Sequence, residues 1–403
     1  MSRLTAELQT IDFPLLGNSA VVGMFSLLHI TLAALSVAFM LMAPWFEFRG
    51  RTRPYDCDVA LSLTRFTVVV FSVSTVLAVI MVELMIGLFP QTTMWLWNRF
   101  RDPILFGILA FFLQLFALYP YYHYWEPLRR YSIPFHTALG ALAAFFMLFW
   151  VLMLDGMGSY MLTPVDRAGP WERLVNPTWL PLALHRMGGN FMIAGYSLAA
   201  YGAWRAERAA DHSSAPYYRH LLRTGWVIGL AGLLVQPLTG LLYASVIHHT
   251  VPDQGQSQME GWFQLVVHGQ YLALGLLFCG HFFITRSTDR SGAGRWFAIA
   301  IPAAAILLVL SANHPGLRRL CLSALLGITA WRLMASRSWT LNILESSASS
   351  VRPLIVGMGL LSILLYLSMG ITREASRRPD TVLGKISIQD QLRPPLQLGG
   401  HIP

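Results

Sequence analysis

Runs of about 18 or more nearly uninterrupted apolar residues recur along almost the whole chain, and nothing else in it limits the possible folds as much. A run of that length crosses the hydrocarbon core of a bilayer as a helix. No water is at hand there, and a helix satisfies its backbone N–H and C=O groups within one segment. Ten such segments are expected, over roughly 20–43, 65–89, 103–125, 134–154, 184–204, 222–247, 262–285, 295–312, 317–335 and 353–371. The fold class that follows is all-α: a polytopic integral membrane helix bundle of about ten transmembrane helices. Only 12% of the 403 residues are charged, about half the usual share of a soluble domain, so lipid is the expected solvent.

The formal charge of +9 does not point to nucleic acid, because the arginines sit in short loops between apolar runs. Arg49, Arg51 and Arg53 occupy the first connection, Arg129 and Arg130 the third, Arg205, Arg208, Arg219 and Arg223 the fifth, and Arg286, Arg290 and Arg295 the seventh. Basic loops stay on the cytoplasmic side, so both termini are expected on the opposite, outer side. Trp95, Trp97, Trp171, Trp179 and Trp262 then fall near the outer interface. The first residues lack the basic, apolar and small-residue order of a cleavable signal peptide. Cys57, Cys279 and Cys321 are scattered, with no disulfide framework and no spacing for a covalent haem, a zinc site or an iron–sulfur cluster.

On this topology His29, Glu83, His185, His268, His314 and Glu374 all lie in the outer half of the membrane or at its outer edge. Ionisable groups there need partners, and a cofactor layer would bring several helices to one depth in this way. A membrane histidine taken alone is nevertheless more often a hydrogen-bonded packing residue than a ligand. The connection from Asp155 to His185 is rich in Pro, Gly and Trp and delivers a histidine just inside the next helix. It contains Ser159-Tyr160-Met161-x-x-Pro164-Val165 and then Asn176-Pro177-Thr178-Trp179. These motifs, followed by His185, resemble subunit I of the cytochrome bd quinol oxidases over about 15–285 and 350–390.

The resemblance implies that His185 is an axial ligand of a low-spin b haem. His268 falls where the family has the second ligand, a methionine, and Val266 where it has an arginine. His185/His268 ligation would lower the haem's potential by favouring ferric iron. His29 stands at the family's high-spin haem ligand, and Glu83, in Glu83-Leu-Met-Ile-Gly87, is similar to its E-F-Q-F-G. Glu83 reads either as a proton relay or haem-edge carboxylate, or as a protonated glutamate bonded to a neighbouring helix. Glu374-Ala-Ser-Arg377-Arg378-Pro379 is similar to E-x-G-R-Q-P, whose glutamate ligates a haem of the high-spin pair. His281, thirteen residues beyond His268 and so roughly 20 Å deeper, is expected at the surface. His314 in Asn313-His314-Pro315 is expected in a turn.

The chain divides into a haem-binding bundle over 1–285, an inserted transmembrane hairpin over 286–349, and a last helix with an outer-face tail over 350–403. It departs from the family in the third apolar segment, where Phe106 and Gln114 stand in place of two glutamates. The first of those glutamates serves the d-type haem and the second lies on the proton path, so a d-type haem is not expected. The loop that shapes quinol binding is short here, offering His248, Asp253 and Glu260 as proton acceptors. The function expected is a membrane b-type cytochrome subunit carrying one to three b haems. It would move electrons between quinone or quinol and partner redox proteins without reducing oxygen. Its partners would be lipid, quinone, other membrane subunits and a periplasmic c-type cytochrome, with no nucleic acid. The alternatives are a divergent bd-type terminal oxidase and a haem-free membrane anchor or quinone-docking scaffold.

Overall fold

A computed structural model describes residues 17–166, 169–208, 214–257, 261–286, 294–335 and 351–389. Glu260 and Arg290 lie outside the described residues, as do the side chains of Arg286, Arg295 and Glu374. All ten expected segments are helices: α1 (Asn18–Arg49), α2 (Asp56–Leu88), α3 (Pro90–His123), α5 (Ile133–Tyr160), α7 (Trp179–Arg208), α8 (Ala215–Thr250), α10 (Phe263–Arg286), α11 (Gly294–Leu310), α12 (Pro315–Ala335) and α13 (Val351–Ala375). Short helices α4 (Trp125–Tyr131), α6 (Pro170–Leu174) and α9 (Pro252–Ser257) lie in the connections. Seven of the ten, α1, α2, α3, α5, α8, α10 and α13, are long and apolar enough to cross a membrane by length and composition. α7 falls short of that standard, with Arg186 and Asn190 inside it, yet it packs against α1, α5, α8 and α13.

Several helices outrun their apolar cores. α2 begins at Asp56 rather than near 65, with Asp56 and Asp58 in its first turn, where carboxylates complement the helix dipole. Asp56 also takes Arg49 at 3.0 Å and His220 at 2.9 Å, tying the α1–α2 connection to α8. At the same end Glu47, His136 and Tyr121 are buried together. The Glu47 carboxylate accepts from His136 Nδ1 at 2.6 Å and from the Tyr121 hydroxyl at 3.0 Å, and pairs with Arg129 at 3.2 Å. This arginine-rich end carries the α1–α2, α3–α5 and α7–α8 connections, and the opposite, far end carries the α2–α3, α5–α7, α8–α10 and α11–α12 connections.

A glycine seam brings the central pair together. Gly188, Gly195 and Gly202 recur every seventh residue on α7; the first two meet Gly225, Gly229 and Gly232 of α8, and Gly202 meets Leu222. A Cβ at Gly195 would lie 2.0 Å from the Gly229 backbone nitrogen, and one at Gly232 2.3 Å from that of Met192. Small residues let backbones approach this closely where no hydrophobic effect drives helices together. Around the seam, Met192, Ile193, Tyr196, Leu230 and Leu233 form a core with Leu277 and Phe278 of α10 and Ile355 and Met358 of α13. α2 and α3 instead leave broad apolar faces open, including Val69, Val76, Val79, Phe112 and Phe116.

His281 corrects an expectation. It is 4% exposed and stacked on Trp226 at 5.1 Å between ring centroids, not at the surface. The helix carrying it packs on α11, α12 and α13, and His281 lies on the side that meets Trp226 of α8, while Leu272, Leu276 and Phe283 on the same helix stay exposed. His314 is exposed in the α11–α12 turn, as expected, and its N–H donates to Ser311. After α13 the chain folds back over the far end as a hairpin of β1 (Asp380–Val382) and β2 (Ile386–Ser387). Thr381 meets Thr92 at 2.7 Å, and Leu383 donates to the Met161 carbonyl at 2.9 Å.

Candidate functional site

The connection between α5 and α7 is fastened by its own polar side chains. The Asn176 amide donates to the carbonyls of Gly156 at 3.0 Å and Leu174 at 3.1 Å. The hydroxyls of Thr163 and Thr178 meet at 2.7 Å, and the Trp179 indole N–H donates to Leu152 at 2.9 Å. These bonds fix where α7 starts. The glycine seam then fixes how close it lies to α8, and together they place His185, in the second turn of α7, against Gln236 and Gly240.

His185 Nδ1 donates to the Gln236 backbone carbonyl at 3.0 Å. A carbonyl can only accept, so Nδ1 carries the hydrogen and Nε2 presents its lone pair, to which the Gln236 side-chain amide donates at 3.3 Å. Iron-ligating histidines are held in this way, with the other ring nitrogen fixed by a carbonyl. A Cβ at Gly240 would stand 2.9 Å from His185 Cε1, so glycine leaves the space the imidazole needs.

His185 lines a cavity of about 1080 Å³ in the far half of the bundle. Its walls come from α1, α7, α8, α10, α13 and the tip joining α11 to α12. Arg186, Arg318, Arg319 and Arg373 line it, with no acidic residue among the described lining residues. Arg186 is committed to Asp155, a carboxylate with a side chain 1% exposed. Tyr366 closes the same corner by donating to Asn190 at 2.8 Å. His248 and His249 stand at the mouth.

The other expected site residues are placed differently. His29 turns to α2, with Nδ1 2.9 Å from the Ser74 carbonyl. His268 has Nδ1 2.7 Å from the Gln264 carbonyl of its own helix and is not among the cavity-lining residues. Each therefore has a carbonyl at Nδ1 and keeps Nε2 as the lone-pair nitrogen, as His185 does. Glu83 is exposed on the face of α2 that carries Val76, Val79 and Ile86. Glu374 falls at the end of α13. The sequence reading missed Asp155, Arg186 and Gln236. A charge inside an apolar stretch signalled the first two; the glycine spacing on α7 signalled which face meets α8.

The family profile for cytochrome bd terminal oxidase subunit I matches residues 20–400. The chain belongs to that family. The structure of bd oxidase from Geobacillus thermodenitrificans is similar in fold, with a TM-score of 0.64 and 14% identity, covering 93% of this chain and 92% of that one. No curated protein sequence matches. Membership makes this a membrane cytochrome subunit of quinol-oxidase type, so haem and quinol are the groups to fit. No three His, Cys, Asp or Glu side chains converge among the described residues as a bare metal ion would need. A haem asks less of a bd-type subunit, because the porphyrin nitrogens already hold the iron in plane and the protein adds only axial donors. The cavity volume is just above the usual range for small-molecule sites, about 300–1,000 Å³. An oriented imidazole, apolar walls and arginines suited to carboxylates complete the fit.

Proposed function

We propose that the chain is a membrane b-type cytochrome subunit passing electrons from quinol to a partner redox protein without reducing oxygen. The observation that carries this reading is His185, held by a main-chain carbonyl with its lone pair toward a cavity large enough for haem. A bound haem would supply one-electron redox chemistry. His185 would hold its iron, and the sequence pairs His268 with it. His29 and Glu374 would serve a second haem, and Glu83 a proton relay on the outward face of α2. Arg318, Arg319 and Arg373 would neutralise the propionates. His248 and His249 would take up protons as quinol is oxidised at the mouth. The arginine-rich end would face the cytoplasm of a bacterial inner membrane, leaving the far end to meet a periplasmic acceptor such as a c-type cytochrome.

Two side chains support the absence of oxygen reduction, which consumes protons at a dry site. Phe106 packs edge-to-face on Phe149 at 5.5 Å and on Trp171 at 5.7 Å, and a ring of this kind neither ligates nor titrates. Gln114 is 1% exposed and its amide has no hydrogen-bond partner among the described residues. It can hold a water but cannot carry a proton by ionising. The test is oxygen uptake by the chain purified with its native partners and given excess reduced quinol. Turnover well below about 10 per second, an ordinary enzyme rate, is expected. Turnover at or above that rate would restore the terminal-oxidase reading.

A further inference from the structure

We propose that the phosphodiester headgroup of an anionic membrane lipid binds at the arginine-rich end, between Arg205 and Arg208 of α7 and beside Trp204. Two guanidiniums lean on this one indole: the Cζ atoms of Arg205 and Arg208 stand 6.0 and 4.8 Å from its ring centre. Two cations gathered on one ring favour an anion between them. Arg205 is also aimed. Its Nε and a terminal nitrogen donate to the Tyr218 hydroxyl of α8 at 3.2 and 3.0 Å, and its Cζ lies 5.1 Å from the Tyr218 ring centre. A phenol stands where a carboxylate would usually be, so the charge is oriented without being neutralised. The other edge of the planar fork remains for a second acceptor, and phosphate oxygens match its geometry.

Among the described residues, the ion pairs at this end go to Glu47 and Asp56, and none reaches Arg205 or Arg208. The connection itself has Arg205, Arg208, Arg219 and Arg223 against Glu207 and Asp211, so it stays basic even with both acids ionised. The side chain of Glu207 and all of Asp211 lie outside the described residues. The neighbours of the arginines say which anion fits. Trp204 is 43% exposed, the Tyr217 hydroxyl meets Ser62 of α2 at 2.6 Å, and Tyr201 packs edge-on against Phe66 of α2 at 5.2 Å. Tyrosine and tryptophan gather at the depth of lipid headgroups. Arg65, exposed on α2 between Ser62 and Phe66, adds a guanidinium at that depth. Further along α2 the exposed residues turn apolar, with Val69, Val73 and Val76. Cations and aromatics above, with open hydrocarbon below, match a phospholipid and not a free anion. Basic pockets between membrane helices take anionic headgroups in this way.

The experiment uses the holoprotein with its native membrane partners, stripped of lipid in detergent, with bound lipid counted by native mass spectrometry. Phosphatidylglycerol should bind in preference to phosphatidylcholine of the same chain length, and inorganic phosphate should not displace it. Arg205→Gln/Arg208→Gln should weaken phosphatidylglycerol binding about 30-fold, from two surface charges at about 1 kcal/mol each. Arg51→Gln/Arg53→Gln removes two exposed arginines from the same end and should leave binding unchanged. Tyr218→Phe keeps every charge but frees Arg205, and should give an intermediate loss. Equal losses in the two double variants would overturn the inference, because total charge would then account for binding. Unchanged binding in Arg205→Gln/Arg208→Gln, equal binding of the two lipids, or displacement by phosphate would overturn it as well. A photoreactive phosphatidylglycerol on the wild type covers a double variant that fails to assemble. Label on α7, α8 and the Arg65 stretch of α2 is expected, and label only elsewhere overturns the site.

Discussion

Arg186 follows His185 directly and buries its guanidinium against Asp155. Removing one partner of such a pair leaves an uncompensated charge, at about 3–5 kcal/mol, whereas replacing both by apolar groups is often neutral. Asp155→Leu should therefore lower the thermal unfolding temperature in detergent sharply, and adding Arg186→Met should recover most of the loss. No recovery in the double variant would mean that the pair does something other than neutralise itself. Gly240→Ala acts on the neighbouring ring, because the new Cβ would press on His185 Cε1 and break its bond to Gln236. The expected result is a reduced haem-to-protein ratio or a spin change with helix content intact, measured by pyridine haemochrome and circular dichroism. At this scale the sequence showed His29, His185 and His268, since ionisable groups stand out in apolar runs. It could not show Gln236 or Met369, which are ordinary residues until α8 and α13 bring them into contact at the cavity wall.

Helices were the most legible elements, because a bilayer forces apolar runs of this length into one conformation. Their ends were less so: α2 starts at Asp56, where charge pairing and not apolarity sustains the helix. Which faces meet was legible only in the glycine spacing of α7. Gly195→Ala should weaken the α7–α8 seam by about 1–3 kcal/mol, the usual range for overpacking, because the obstruction is Gly229 backbone rather than a movable side chain. Gly327→Ala on α12 meets nothing within 4 Å and should lose no stability. Equal thermal shifts in the two variants would show that the seam is not as close as described.

For the whole molecule, sidedness can be tested at its two ends. In a background lacking Cys57, Cys279 and Cys321, Thr52→Cys at the arginine-rich end and Asn313→Cys at the far end are both exposed sites. A membrane-impermeant thiol reagent added to intact cells should label only the second; labelling of the first alone would invert the proposed orientation. The cavity between these ends has a history as well as a shape. Its walls include α1 near the start of the chain and α13 near the end, and chains are made and inserted from the N-terminus onward. A ribosome that has delivered α1 to α10 has released a pocket with His185 in position but one side open to lipid. Cofactor loading is then a late event that reports on completed synthesis. Chains stopped at Ala335 should insert into the membrane yet keep no haem through purification. An abandoned product would stay colourless, so no half-made subunit would draw electrons from the quinol pool.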